Sequence, residues 1–275
     1  MKSGIFILLL IGIISIARSE EEKCRCGWKN PSRIVNGVET GINEFPMMAR
    51  ILYPLPYNYC GGSIITPRHI LTAAHCVELF INNLNSLTVV VGEHDYTKDN
   101  ETNAMKRYSV EEVTIHPDYW QHFNDIAIVK TKERIDYSMQ VGPVCLPFNY
   151  MDKDFVNETV TASGWGKLSY HGENSKVLRK VDLHVITPKK CSDSYRFFYS
   201  PKMICTFDVG KDACKNDSGG PVLWTSPTTG NLIQVGVISF GRTCADDYPG
   251  GNMRVTSYMD FIEKATTGET YCKAD

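Results

Sequence analysis

Residues 210–221 gather side chains that could carry out nucleophilic chemistry. They include the hydroxyl of Ser218, the carboxylates of Asp212 and Asp217, and glycines directly after the serine. A serine hydroxyl becomes a competent nucleophile when a base accepts its proton, and glycine lets the backbone approach a reacting carbonyl closely. Polar loops of this composition are more often simple turns, so the assignment depends on partners elsewhere in the chain.

Two candidate partners precede the serine. His75 ends an apolar, small-residue run that a cysteine closes, and Asp125 stands at the entrance of the apolar stretch 126–130. A histidine or aspartate considered alone is more often a surface residue or a turn residue. Taken together, they have the types needed for a general base and for a buried carboxylate that orients it.

The order in which these residues occur separates classes of hydrolase. An α/β-hydrolase has the order Ser, Asp/Glu, His and a Gly-x-Ser-x-Gly motif, and a subtilisin has the order Asp, His, Ser. Here the order is His75, Asp125, Ser218, and Asn216 occupies the place of the first glycine of that motif. The order agrees with the chymotrypsin arrangement and argues against an esterase-like hydrolase of another fold.

Composition and the N-terminus indicate a secreted globular protein. The 275 residues are 43% hydrophobic with a net charge of −2, which favours neither nucleic acid nor an acidic membrane as partner. A basic Lys2, the apolar run 4–16 and small residues at 17 and 19 predict a signal peptide over 1–19 and an extracellular location. The apolar run is too short for a membrane anchor.

An even number of cysteines, ten, predicts disulfides in an oxidising compartment. Zinc is the alternative, but the chain lacks a pair of Cys-x2-Cys clusters. The residues themselves leave the pairing open.

Short β-rich runs separated by turn residues predict an all-β sandwich or a pair of barrels. The runs are 62–65, 87–91, 126–130, 160–163, 181–186 and 232–239. Only the end has helical spacing, at Val255, Tyr258, Met259 and Ile262, with Thr256 or Ser257 as the expected N-cap.

From Ile34 to the terminal helix, the chain resembles a trypsin-like serine protease of the chymotrypsin family. The stretches that carry this resemblance are Ile34–Gly37, Cys60–Ser63, Thr72–Cys76, Asp125–Ala127, Cys145–Pro147, Gly164–Gly166, Asp217–Pro221 and Ser239–Gly241. Residues 26–33 and 43–48 resemble secreted arthropod proteases of venom, saliva or haemolymph. The family implies two six-stranded antiparallel barrels with a C-terminal helix, formed by residues 34–275 after a propeptide, 20–33.

The resemblance assigns a role to each candidate. His75 would be the general base, Asp125 its orienting carboxylate and Ser218 the nucleophile, with the N–H groups of Asn216 and Ser218 binding the oxyanion. Asp212 would form the floor of a pocket for a basic side chain, lined also by Ala213, Ser239, Gly241 and Gly250. Because Ala213 stands where the family often has serine, we expect Arg to be preferred over Lys.

The resemblance also implies a zymogen. Cleavage after Arg33 would free the ammonium of Ile34 to pair with Asp217, and the activating protease must itself cleave after Arg. The implied disulfides are Cys60–Cys76, Cys191–Cys205, Cys214–Cys244 and Cys26–Cys145, of which the last would keep the propeptide attached. Cys24–Cys272 remains by elimination.

Several residues depart from the family pattern. Asn216 replaces a nearly universal glycine; asparagine is among the residues that tolerate positive φ. We expect lower activity on bulky proteins and resistance to large inhibitors. Phe240, Thr243 and Asn252 also differ from the usual residues and alter the expected shape of the pocket.

The remaining expectations concern modification and partners. Asn100 and Asn157 are predicted glycosylation sites. The run 93–101 overlies a calcium loop of some relatives, but its spacing does not match, so we expect neither a metal nor a cofactor. The expected partners are protein or peptide substrates with Arg or Lys, an activating protease and protease inhibitors, for a monomer that binds neither nucleic acid nor membrane. The alternative is a weakly active or non-catalytic homologue with a binding or regulatory role; a venom, digestive or clotting/immune setting stays open.

Overall fold

Twelve strands form most of the regular structure in the part of the chain that the computed structural model describes. That part comprises residues 24–31, 39–54, 59–98, 101–196, 199–244 and 247–274. The predicted signal peptide, the activation residues Arg33 and Ile34, and the glycosylation site Asn100 lie outside it.

The strands close into two antiparallel barrels of six strands each, which confirms the predicted fold. The first barrel has the order β1-β2-β3-β6-β5-β4 and the second the order β10-β11-β12-β9-β8-β7. The strands of the first are β1 Met48–Leu52, β2 Tyr59–Thr66, β3 His69–Thr72, β4 Thr88–Val91, β5 Lys106–Ile115 and β6 Ala127–Thr131. Those of the second are β7 Thr159–Gly164, β8 Arg179–Val185, β9 Met203–Phe207, β10 Pro221–Thr225, β11 Leu232–Phe240 and β12 Gly250–Arg254.

Burial of β-branched and aliphatic side chains inside each barrel explains why these runs are strands. Ile51 and Ile70 are fully buried in the first barrel, and Val235 is fully buried in the second. Each such side chain contributes about 1.5–3 kcal/mol relative to an exposed one. Closure of the barrels pairs both edges of each of these strands within the described ranges.

The expectation that only the C-terminus is helical is wrong, because α1 spans Pro188–Tyr195. Its sequence is polar and has no clear apolar face, but its first turn is well specified. Thr187 is the N-cap, its hydroxyl accepts a hydrogen bond from the N–H of Lys190, and Pro188 starts the helix. This combination of cap and proline is a helix start signal.

The C-terminal helix begins later than predicted. Val255–Tyr258 form a 3₁₀ turn, and α2 spans Met259–Ala265. Thr256 and Ser257 therefore lie inside the 3₁₀ turn and neither caps the helix, so the predicted N-cap is wrong. No helix among the described residues is long and apolar enough to cross a membrane.

Five disulfides join distant segments, in the pairs that the resemblance and elimination implied. They are Cys24–Cys272, Cys26–Cys145, Cys60–Cys76, Cys191–Cys205 and Cys214–Cys244.

Residues 24–31, which precede the predicted cleavage site, are also docked by noncovalent contacts. Gly27 donates to the carbonyl of Pro143 and accepts a hydrogen bond from Leu232. Trp28 is largely buried and packs so closely on Gly142 that a methyl group there would lie 1.8 Å from its ring.

Candidate active site

His75 and Asp125 meet at the edge of the first barrel. His75 lies in a 3₁₀ turn, Ala74–Cys76, directly after β3, and Asp125 lies just before β6, the strand that pairs with β3. Nδ1 of His75 is 2.7 Å from Oδ2 of Asp125, and the backbone N–H of His75 donates to Oδ1 at 2.9 Å. The side chain of Asp125 is 1% exposed, whereas that of His75 is 34% exposed.

This geometry defines the protonation of the imidazole. Because a carboxylate can only accept, Nδ1 of His75 carries the proton and Nε2 is left as the acceptor that a general base requires. Burial alone would lower the pKa of His75. The hydrogen bond that His75 donates to Asp125, the charge of Asp125 and the charge of Glu78 outweigh burial and raise the pKa of His75 above its ordinary value of 6.5.

Ser218 lies at the junction of the two barrels, in the loop before β10. Its carbonyl accepts a hydrogen bond from Gly61 of β2 at 2.8 Å. Cys76 Sγ lies 3.7 Å from both the Ser218 carbonyl and Nε2 of His75, so the serine and the imidazole share a neighbour. No hydrogen bond joins the hydroxyl of Ser218 to His75 within the described residues; such bonds are often long in the absence of substrate.

The turn at 216–218 presents two unused N–H groups. The N–H of Asp217 donates to Cys214 O at 3.0 Å. Among the described residues, the N–H groups of Asn216 and Ser218 donate to no protein acceptor. Asn216 has a φ of 73°, in the left-handed region that its family-typical glycine would adopt freely. Two free donors on either side of a paired one form the pattern that an oxyanion site requires.

The carboxylate of Asp217 lies against Gly164 and Gly166, at and just after the end of β7. Its carboxylate accepts hydrogen bonds from Gly166 N at 2.7 Å and Cys214 N at 2.9 Å. Burial raises the pKa of Asp217 to about 6, and those two hydrogen bonds partly oppose the rise. No lysine, arginine or histidine in the described ranges forms an ion pair with it. It borders a cavity of about 540 Å³ that Arg179 and Lys180 also line.

A second cavity, of about 220 Å³, opens beside Ser218 and contains the predicted specificity residues. Asp212 lies between two glycines. A methyl group at Gly250 would be 3.1 Å from its Oδ1, and one at Gly241 would be 3.8 Å from its Oδ2. The absence of side chains at both positions therefore leaves space in the cavity on two sides of the carboxylate. Ala213 and Ser239 line the same cavity.

Three side-chain contacts in the site were not anticipated from the sequence. The hydroxyl of Ser239 donates to Oδ2 of Asp125, which thus receives three hydrogen bonds. Asn252 donates through Nδ2 to the carbonyl of Ile204 at 3.0 Å. Asn216 donates through Nδ2 to Asn174 Oδ1 at 3.0 Å. Each pair is separated by more than 40 residues, and no local pattern signals it.

Two features of the described residues bear on metal binding. Cys60, His75 and Cys76 place ligand-type atoms within 4.8 Å of one another, but both sulfurs belong to one disulfide and cannot act as thiolate ligands. In the run 93–101, Glu93 forms a buried ion pair with Arg50, with Oε2 2.7 Å from Nε. The carboxylate of Glu93 is thus paired with a guanidinium.

The fold and the site define a chymotrypsin-like serine protease, and comparisons with known proteins agree. The trypsin family model matches residues 34–262, so the chain belongs to the trypsin family of serine proteases. It is 68% identical, over the whole length of both chains, to a venom serine protease of Polistes dominula.

Two further relatives are more distant. Venom serine protease 34 of Apis mellifera is 46% identical over 92% of this chain, which spans 63% of that protein. The clotting factor G beta subunit of Tachypleus tridentatus is 36% identical over 93% of this chain and 86% of that protein. The predicted similarity to arthropod venom and haemolymph proteases is thereby confirmed.

Proposed function

We propose that this protein is a secreted endopeptidase made as a zymogen, activated by cleavage after Arg33, that cleaves peptide bonds after Arg and less efficiently after Lys. The observation that carries the proposal is the hydrogen-bonded Asp125–His75 pair beside Ser218, at the mouth of a cavity that contains Asp212.

Acylation uses the proton acceptor that the Asp125 contact leaves on the imidazole. Nε2 of His75 accepts the proton of the Ser218 hydroxyl as Oγ attacks the carbonyl carbon of the scissile bond. The resulting imidazolium is stabilised by Asp125, which stays ionised. Nε2 then protonates the leaving amine, and the acyl group remains on Ser218. Water, deprotonated by the same nitrogen, hydrolyses the ester.

The free N–H groups of Asn216 and Ser218 would bind the negatively charged oxygen of each tetrahedral intermediate. Loss of one such donor typically lowers kcat by about 10²–10³-fold. Their orientation is therefore one of the features that separate an active from an inert homologue.

Specificity for arginine follows from the second cavity. A guanidinium can bind a carboxylate through two parallel hydrogen bonds, and the two glycines leave room for the long side chain. The methyl group of Ala213 offers no acceptor to a lysine ammonium, which would gain from one. Arg is therefore expected to be the better substrate residue.

Activation is supported by the distance that the new terminus must span. Glu39 pairs with Arg179, and Arg179 pairs with Gly164, whose Cα lies against the Asp217 carboxylate. Two strand spacings, about 10 Å, separate Glu39 from this point. The five residues from Ile34 to Glu39 can span at most about 17 Å, so the ammonium of Ile34 can reach Asp217.

The setting is proposed from the relatives and from the surface. Proteins named as venom serine proteases in Polistes and Apis favour secretion into venom. Asn157 is exposed in a turn before β7, accessible for a glycan. We expect the secreted enzyme to be a monomer that meets an activating protease and protein inhibitors.

The test is burst kinetics on purified chain before and after cleavage at Arg33, with matched arginyl and lysyl 4-nitrophenyl esters and anilides. The cleaved wild type should give an ester burst equal to the active sites and a higher kcat/KM for the arginyl anilide. Ser218→Ala is the control and should give no burst. A cleaved, folded protein without a burst would favour the non-catalytic alternative, and equal arginyl and lysyl rates would refute the specificity.

A further inference from the structure

The hairpin 167–175 lies against the turn that carries the nucleophile. Its two arms are joined by a bridge between Lys167 and Asn174 and by a hydrogen bond from Leu168 N to Glu173 O. On the side of the nucleophile turn, Lys215 Nζ lies 4.4 Å from the centre of the Tyr170 ring. The hairpin is thus an element with its own internal bonds that packs on residues 215 and 216.

Two hydrogen bonds join this hairpin to residues 215 and 216, and the first of them orients the peptide unit that contains the Asn216 N–H. The N–H of Lys167 donates to the carbonyl of Lys215 at 2.8 Å. Because a trans peptide is planar, with its C=O and N–H on opposite sides, a carbonyl directed at the hairpin directs the N–H of Asn216 away from it. That N–H is one of the two free donors of the turn.

The second hydrogen bond joins side chains. Asn216 Nδ2 donates to Asn174 Oδ1 at 3.0 Å, while the backbone of Asn216 is at a φ of 73°. A residue with a Cβ adopts this region only at some energetic cost. The contact with Asn174 forms in the conformation that leaves the backbone N–H of Asn216 free, so it stabilises that conformation.

We propose that Asn174 is a positioning residue for the oxyanion site, acting through the side chain of Asn216. The chain thereby replaces the conformational freedom of glycine with a fixed amide–amide contact. The inference rests on the proposed function, since it concerns how well the same turn stabilises the transition state.

The experiment compares Asn174→Ala and Asn174→Asp in the cleaved enzyme, with an arginyl anilide as substrate and burst amplitude to count folded sites. Asn174→Ala should lower kcat per site about tenfold, less than the 10²–10³-fold expected for outright loss of a donor, and leave KM nearly unchanged. Asn174→Asp keeps the acceptor oxygen and should restore most of kcat. Glu173→Ala, an exposed neighbour, is the matched control and should match the wild type.

A second background separates positioning from a general effect on folding. In Asn216→Gly, residue 216 has no amide to donate to Asn174. Adding Asn174→Ala should therefore change kcat less than twofold. Equal losses in both backgrounds, an unchanged kcat in the single variant, or a change confined to KM would each overturn the inference. If the wild type itself does not turn over the arginyl anilide, the proposed function fails instead.

Discussion

At the scale of single residues, the proposed mechanism makes the carboxylate of Asp125 the group that sets how readily His75 acts as a base. The pKa of His75 is raised by that carboxylate and by Glu78, against the effect of burial. Because the base must be neutral, activity is lost as pH falls through this pKa. The acidic limb of the pH profile therefore reports directly on the Asp125 contact.

We expect the acidic limb of kcat/KM in the cleaved enzyme to have its midpoint above pH 6.5. In Asp125→Asn the imidazolium loses its partner, so the limb should move to lower pH, and kcat should fall by roughly 10⁴-fold. The measurement is kcat/KM for an arginyl anilide from pH 5 to 9. Asp136→Asn, at an exposed ion pair with Lys106, is the control and should leave the limb in place. A limb that moves upward in Asp125→Asn would contradict this account.

The side chain of Asn216 predicts selectivity against large ligands. It projects from the turn toward the hairpin at Asn174, whereas a glycine would leave that space open. Asn216→Gly should therefore raise the affinity of large protein inhibitors about tenfold, or about 1.4 kcal/mol, and increase cleavage of folded proteins. A small amidine, which occupies only the Asp212 cavity, should bind equally well to both enzymes. Unchanged inhibition constants for the protein inhibitors would count against a steric role.

At the scale of elements, the sequence predicts secondary structure correctly where a local pattern of apolar residues indicates which side chains are buried. Runs such as 87–91 and 232–239 are recognisable as strands because β-branched residues concentrate there, and both are strands. The helix α1 was missed because its polar sequence lacks an apolar stripe and its start signal is two residues, Thr187 and Pro188.

The candidate site likewise has features that the sequence predicts and contacts that it does not. The residue types and order of His75, Asp125 and Ser218 could be recognised from the chain itself. The contacts Ser239–Asp125 and Asn174–Asn216 could not be recognised in this way. Each joins two segments that are far apart in the sequence and meet only in the folded chain. Neither serine nor asparagine is unusual on a protein surface, so their positions become informative only in the folded chain.

The segment 24–31 is fastened to the protease domain by two disulfides rather than one. Both Cys24 and Cys26 lie before the predicted cleavage site, and their partners Cys272 and Cys145 lie after it. Trp28 also packs on Gly142 and donates to the carbonyl of Met139. Cleavage after Arg33 should consequently leave a two-chain enzyme in which the short chain remains part of the structure.

This arrangement predicts how the short chain is released. After cleavage, non-reducing denaturing electrophoresis should show it attached in Cys24→Ala/Cys272→Ala and also in Cys26→Ala/Cys145→Ala, because one bridge remains in each. Only the variant without all four cysteines should lose it. The comparison of masses with and without reductant is the measurement. Release from either two-cysteine variant would mean that the remaining pair does not form.

At the scale of the whole molecule, Asp217 would connect the proposed activation step to the turn that carries Ser218. Its carboxylate is held by Gly166 of one loop and Cys214 of another, one residue from the nucleophile. A partly buried carboxylate without a cation is unfavourable, and in the proposed activation the cavity beside it would receive the new N-terminus. Ile34 would then stabilise the same turn that presents the oxyanion donors, so cleavage and catalysis share one carboxylate.

The pH dependence of stability should therefore change on cleavage. Burial raises the pKa of Asp217 from 3.8 to about 6 in the folded chain, so between these values the folded state binds more protons than the unfolded state. The contribution of Asp217 to the free energy of unfolding therefore decreases as pH rises from about 4 to about 6. An ammonium at Ile34 would lower the pKa of Asp217 and remove that loss of stability.

Melting temperatures of the uncleaved and the cleaved Ser218→Ala protein should therefore differ more and more as pH rises from 4 to 7, with the cleaved form melting at the higher temperature. In Ser218→Ala/Asp217→Asn the two curves should run parallel, and parallel curves with Asp217 present would refute the pairing.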